Sequence, residues 1–406
     1  MKSAIFYLLI SVIVFISISC ENSITPNSSS KPEFSSLQKE VLAISQNFGI
    51  KLFLKINETE RTKNIIISPL SISTALGMVL NGAKNSTYSQ IKNTLGLTTF
   101  SQHEINLTSK KLIHTLTNMD NLVNLQIANS AWVDNDFKIK QAFIDSTKKY
   151  FDAQCSVVDF ALPSSFDKIN NWVKEKTNSQ IKKMVEYKPN NIVLMLLNAI
   201  YFKSEWTKEF NSENNLKNVF TTAINTKDTV TYMHKKDTLK YAETNIFRGV
   251  ELPYGNKMFS MILLLPNNDF STQQVIEYIN SENLNLFFGN FKKDKINLFL
   301  PKFNFVYSKS LIELLSSLGI TDAFTSKADF TGIGENIMID KIMHKAAITI
   351  NESGTEASAV TQISFVRTAV GDKTVNFNKP FIFVIKENTT NTILFIGTVN
   401  NPILHK

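Results

Sequence analysis

Helix-like and strand-like periodicities follow one another along this 406-residue chain without regular alternation and without a break in composition. That combination constrains the fold more than any other feature. Val41, Ile44, Phe48, Leu52 and Ile56 recur three or four residues apart and predict an amphipathic helix over 37–57. Ser68-Pro69 is a helix start signal, and the small and apolar residues that follow predict a buried helix over 71–81. A third helix is expected over 310–318, closed by Gly319. Strand-like runs fall at 192–202, 259–265, 296–300, 346–350, 381–385 and 393–399. A doubly wound parallel fold would alternate the two patterns. This order points instead to an α+β domain with large antiparallel or mixed sheets. With only 13 glycines and 10 prolines, and no repeat at solenoid spacing, the chain reads as one globular domain over 37–406, its core filled largely from 30 phenylalanines.

The first 36 residues have a different character. Lys2 precedes an apolar run from Ala4 to Ile18 that ends at Cys20, the layout of a signal peptide. Cys20 follows the small residue Ser19, which resembles the bacterial lipobox, although Ser17 stands where a larger aliphatic is commoner. A lipoprotein signal over 1–20 with lipidation at Cys20 is the expectation. Simple secretion and an uncleaved anchor over 3–20 are the other readings. All three put the chain outside the cytoplasm, in the cell envelope, at the cell surface or secreted. Residues 21–36, with Pro26, Pro32 and seven serines or threonines, read as a flexible tether. Cys155 is the only other cysteine, so a lipidated Cys20 leaves no disulfide; Val157, Val158 and Phe160 nearby suggest a packed thiol.

The net charge of +8 is spread over scattered lysine pairs such as Lys148-Lys149 and Lys292-Lys293, which build no nucleic-acid tail and no evident polyanion stripe. Chemistry-bearing motifs are equally sparse. The five histidines show no metal-ligand spacing, and neither a GxSxG elbow nor a phosphate-binding loop occurs. Ser165 and Lys168 fit an SxxK pattern but lack its partner motifs. The expectation is a protein that is not an enzyme and uses no metal or cofactor.

One stretch stands apart, 351–376. After Gly354, where a missing side chain frees the backbone, an alternating strand would put Thr355, Ala357, Ala359, Thr361, Ile363 and Phe365 on one face. The other face would carry Glu356, Ser358, Val360, Gln362, Ser364 and Val366. By pattern alone this is a half-buried strand, which a permanent strand of the sheet would also satisfy.

Six ordered motifs decide how that stretch is read. They are NIIISPLSISTAL at 64–76, LNAIYFK at 197–203 followed by Trp206 and Phe210, and LPKFNF at 300–305 with LGITDAF at 318–324 and ADFTG at 328–332. HKA at 344–346, ESGTEASA at 352–359, and FNKPFIFVI at 377–385 with ILFIG at 393–397 complete the set. In this order and spacing the domain resembles the serpin family over some 340 residues. The resemblance implies three β-sheets, about eight or nine helices, and an exposed reactive-centre loop at about 354–376.

It also implies a mechanism. A protease attacks a bait bond in the loop, and the freed hinge inserts into the central sheet before the acyl-enzyme is hydrolysed; loop insertion of this kind is a known example of strand addition and stored-strain release. The hinge would be Glu352, Gly354, Thr355, Glu356, Ala357, Ser358 and Ala359, with no proline and no charge on the face to be buried. That composition implies an irreversible inhibitor of serine endopeptidases, with papain-type cysteine enzymes as further targets. A non-inhibitory binding protein or chaperone is the rival. By the family count the bait bond is Thr368-Ala369, which suits elastase-like or broad-specificity enzymes; a one-residue shift to Arg367-Thr368 would suit trypsin-like ones. Ser68, Ser71, Asn198 and His344 match the family's shutter, a buried polar cluster beneath the sheet opening. Trp172 resembles the aromatic where insertion begins, or is an ordinary core tryptophan. The expected partners are proteases and, through a lipid anchor, a membrane, with no nucleic acid and a monomeric state.

Overall fold

The computed structural model describes residues 33–187, 192–355 and 373–403. The first helix, Ser36–Thr59, starts at a capping box: Ser35 Oγ accepts from the Gln38 N–H while Gln38 Oε1 accepts from the Ser35 N–H. Its buried face holds Val41, Phe48, Leu52 and Ile56, with Ile44 packed at the margin. Phe34, just ahead of the cap, is also buried, so the ordered domain is anchored a few residues before Leu37. The second helix, Pro69–Leu80, is capped by Ser68 and buried on nearly every side. It packs on Ser36–Thr59 and reaches under both sheets. The third expected helix is shorter than its pattern, Ile312–Ser317, and ends at Gly319 with φ +111°. Nine α-helices occur among the described residues.

Two sheets complete the α+β architecture of the described residues. The larger joins, in order, Ile65–Ile67, Ile393–Val399, Phe381–Glu387, Phe259–Pro266, Phe247–Tyr254, Lys227–Glu243, Lys292–Pro301 and Lys373–Asn376, with Leu216–Thr221 paired beside Lys227–Glu243. Where three sheets are expected, hydrogen bonding makes two of them continuous. The cause is the 17-residue strand Lys227–Glu243, long enough to pair with Leu216–Thr221 at one end and with Phe247–Tyr254 at the other. Fully buried, largely apolar strands such as Phe259–Pro266 and Phe381–Glu387 lie inside this sheet, covered on both faces.

The second sheet has six strands in the order Phe303–Ser310, Ile339–Ile350, Gly354–Thr355, Leu194–Glu205, Val123–Asp134 and Gln154–Val158. Cys155 lies on its edge strand, half-buried, and burial pushes its thiol up to about 12, so it is a packing residue and no nucleophile at neutral pH. The helix Pro163–Lys176 covers one face of this sheet through Phe166, Ile169, Trp172 and Val173, which pack on Ala128, Trp132, Met195 and Leu197.

Candidate functional site

The middle of the six-stranded sheet contains a seam. Strands Leu194–Glu205 and Ile339–Ile350 run parallel and pair directly from Ile339 opposite Leu194 to Ala346 opposite Ile200. Beyond that point they part, and Gly354–Thr355 fills the opening. Thr355 faces Ile350 on one side and Ser204 on the other, while Gly354 faces Glu205, all antiparallel. The expected hinge therefore begins as a short wedge already seated between the two central strands.

A turn at Asn351 aims the chain into this opening. Asn351 Oδ1 accepts from the Ser353 N–H (3.1 Å) and the Gly354 N–H (3.2 Å), and the Asn351 N–H donates to Gly354 O (3.0 Å). Gly354 has φ +155°, and a Cβ there would stand 2.2 Å from Ser204 O and 2.7 Å from Glu205 Cα. Its value lies less in pivot freedom than in close approach: only glycine lets the wedge touch the neighbouring backbone.

Buried polar contacts fix the wedge's root. Glu352 is almost wholly buried and accepts from Asn215 Nδ2 and from Lys302 Nζ, the latter at 3.0 Å. Burial drives its carboxyl upward, but hydrogen bonds from Asn215, its own backbone and Lys302, with the Lys302 charge, outweigh this and hold it below the usual carboxylate range. The backbone carbonyls are taken as well. Phe210 N–H donates to Glu352 O (2.9 Å), Trp206 N–H to Ser353 O (2.8 Å), and Trp206 Nε1–H to Asn351 O (3.0 Å). The Trp206 ring stacks on Tyr254 at 4.5 Å, and the fully buried Tyr254 hydroxyl shares a 2.6 Å hydrogen bond with Thr355 Oγ1.

Lower on the seam, Ser68, Ser71, Asn198 and His344 come together. His344 and Asn198 sit directly opposite each other across the parallel pairing. The Ser68 N–H donates to His344 Nε2 (3.2 Å), which leaves Nδ1 carrying the proton and donating to Asn198 Oδ1 (2.8 Å). Asn198 Nδ2 in turn donates to Ser71 O and Asn129 Oδ1, both at 2.7 Å, and to Ser71 Oγ. Ser68 Oγ accepts from the Ser71 N–H at 3.1 Å. His344 is completely buried, and burial pushes its imidazole down to about 3, so it is neutral at physiological pH. The cluster thus ties the first turn of the Pro69–Leu80 helix to both strands of the seam, and one of its hydrogen bonds bridges the seam itself.

The remaining site expectations divide sharply. Glu356, Ala357, Ser358, Ala359, the bait residues Arg367, Thr368 and Ala369, and Cys20 lie outside the described residues. Trp172 does not lie where the wedge enters. It sits on the Pro163–Lys176 helix and packs edge-on against Trp132 (6.0 Å), and Trp206 is the tryptophan bonded to the turn at Asn351 and Ser353 that precedes the wedge. Ser165 is buried while Lys168 is exposed, so the two do not share an environment. Sequence reasoning missed Asn129, Asn215, Tyr254, Lys302 and Asn351. Asn129 left a signal, an amide inside the apolar run IANSAWV at 127–133. Asn351 acts locally, as a turn-former three residues before Gly354, whereas Asn215, Tyr254 and Lys302 act through partners 50 to 137 residues away that no local pattern marks.

Comparison with known proteins bears directly on this geometry. The family model described as "Serpin (serine protease inhibitor)" matches residues 43–402. Leukocyte elastase inhibitor of Sus scrofa is 33% identical over 384 residues, covering 90% of this chain and 100% of its own length. Among solved structures, a thermophilic serpin, tengpin, in the native state aligns with a TM-score of 0.83 at 33% identity, over 92% of this chain and 96% of that one. Thyroxine-binding globulin in complex with thyroxine also aligns at 0.83, with 27% identity over 89% of this chain and 99% of that one.

Proposed function

This chain belongs to the serpin family, and we propose that within it the protein is an irreversible suicide-substrate inhibitor of serine endopeptidases. The observation that carries this reading is the wedge: Gly354–Thr355 already lies between the two central strands, and the strands pair directly below it. The serine hydroxyl of an attacking protease adds to the bait carbonyl, the peptide bond breaks, and the new amine leaves with the C-terminal side of the loop. The N-terminal side, still ester-linked to the enzyme, then extends the wedge down the seam. Thirteen residues from Thr355 to Arg367 would span roughly 43 Å at ~3.3 Å per residue. Each ladder hydrogen bond gained contributes ~0.5–1.5 kcal/mol net. To pass, the strand must part His344 from Asn198. The protease is carried along and its active site distorted before water can cleave the ester.

The likeness to leukocyte elastase inhibitor supports an elastase-like target and the bait bond Thr368-Ala369; Arg367-Thr368 is the competing register. In the same reading the chain is exported and held at the cell envelope by lipid on Cys20. The test is incubation with trypsin, elastase, subtilisin and a papain-type enzyme, followed by denaturing electrophoresis. A complex that survives SDS is expected, and N-terminal sequencing of the released peptide should begin at Ala369. Thr355→Arg, which forces a charge into the buried wedge position, should convert the inhibitor into a cleaved substrate. Failure to form a complex with any of the four enzymes would favour a non-inhibitory binding protein or chaperone.

A further inference from the structure

A second site lies against the outer side of Trp206. A cleft of about 550 Å³, within the usual range for small-molecule sites, opens between Trp206 and the strands Lys227–Glu243 and Phe247–Tyr254. Its wall is apolar, formed by Trp206, Leu239, Leu252 and Pro253. Its rim is cationic: five lysines line it against two carboxylates. Lys208 is paired with Asp237 (2.9 Å) and Lys240 with Glu251 (3.0 Å), which uses up both acids. Lys257 and Lys293 have exposed ammonium groups with no ion pair among the described residues.

Lys235 is the most informative member. Its side chain is buried, yet among the described residues its ammonium has only the Lys208 carbonyl (2.6 Å) and the face of the Phe210 ring (4.2 Å to the centroid) as direct partners. Burial pulls its affinity for the proton down to about 8 while the nearby Asp237 pulls the other way. A buried cation with an uncommitted N–H, beside two further unpaired ammonium groups and an aromatic wall, is complementary to one kind of occupant.

We propose that this cleft binds a small amphipathic anion, an apolar body seated against Pro253 and the edges of Trp206, Leu239 and Leu252, with a single acidic headgroup held by Lys235, Lys257 and Lys293. No described residue of the expected hinge lines the cleft, and the binding needs no protease. The cleft does adjoin the hinge, because Trp206 holds the carbonyls of Asn351 and Ser353.

Naphthalene-2-sulfonate is a suitable probe for calorimetric titration of the full chain. One saturable site is expected with a dissociation constant on the order of 10–100 µM, weakening as salt rises. Naphthalene-2-sulfonamide has the same shape without the charge and should bind about tenfold more weakly; inorganic sulfate, which has the charge without the apolar body, should do no better. Lys257→Asn and Lys293→Gln each alter an exposed side chain and leave the thermal midpoint unchanged, and together they should weaken sulfonate binding about tenfold. Sulfonamide binding as tight as sulfonate binding would overturn the proposal, as would an unchanged affinity in the double variant. So would the absence of saturable heat up to about 1 mM.

Discussion

Gly354→Ala tests whether the wedge occupies the sheet in solution. The added methyl would have to sit 2.2 Å from Ser204 O and 2.7 Å from Glu205 Cα, both backbone atoms of a central strand that cannot yield. The positive φ adds strain for any residue with a Cβ. The wedge should therefore leave the sheet. Beside its ladder pairing, three hydrogen bonds go with it: Asn351 N–H to Gly354 O, Gly354 N–H to Asn351 Oδ1, and the Tyr254–Thr355 hydroxyl pair. At ~0.5–1.5 kcal/mol each, these three alone cost the native state about 3 kcal/mol. A domain of this length has an unfolding entropy of roughly 0.8 kcal/mol per kelvin at ~2.1 cal/mol/K per residue, so the melting midpoint should fall by about 4 °C. Scanning calorimetry reads the midpoint. Tryptophan emission reads the wedge, because Trp206 stacks on Tyr254, whose hydroxyl loses its Thr355 partner. A midpoint within about 1 °C of the parent, with an unchanged emission spectrum, would refute the close-approach argument.

Other consequences can be checked the same way. His344 has its folded-state pKa depressed to about 3 against 6.5 for the free side chain, so the unfolded chain binds more protons between those values. Its contribution is complete above pH 6.5 and is lost progressively as pH falls toward 3; by pH 5 the parent should lose ~2 kcal/mol more than His344→Gln in urea unfolding. Equal losses in the two proteins would show that the imidazole titrates normally. Tyr254→Phe and Thr355→Val each strand a buried hydroxyl and should cost ~1–3 kcal/mol, whereas the double variant should cost about 1 kcal/mol less than their sum. Strict additivity of the three midpoints would mean the two hydroxyls do not meet.

The fold was written into the sequence most clearly where one element is buried by its own pattern. The Ser68-Pro69 start and the apolar run behind it gave the Pro69–Leu80 helix to within a residue or two, because capping and burial are both local. Strands covered on both faces, such as Phe381–Glu387, were equally plain. Lys227–Glu243 was not. Its buried run is interrupted by His234 and Lys235, whose contacts are Asn297 and, for the lysine, a carbonyl and a ring, all from distant segments. The candidate site divides in the same manner. Ser68, Ser71, Asn198 and His344 were recognisable through their motifs as a buried cluster, whereas the sequence shows Asn129 only as an amide in an apolar run, and the register sets it opposite Asn198. Trp172 and Trp206 show the limit of composition: both are buried, and only the fold tells which of them meets the hinge.

The direction of the strands at the seam has an energetic meaning of its own. Leu194–Glu205 and Ile339–Ile350 meet through seven parallel pairs, the slanted and slightly weaker ladder. The segment that enters between them runs opposite to both neighbours, as Thr355 shows by facing Ile350 and Ser204 at once. Lengthening that segment would exchange one oblique ladder for two perpendicular ones, nearly doubling the cross-strand bonds in the middle of the sheet. On the proposed mechanism, part of the free energy released on insertion would then come from polarity: two like-directed strands lie side by side, next to a segment whose opposite direction would let it separate them favourably.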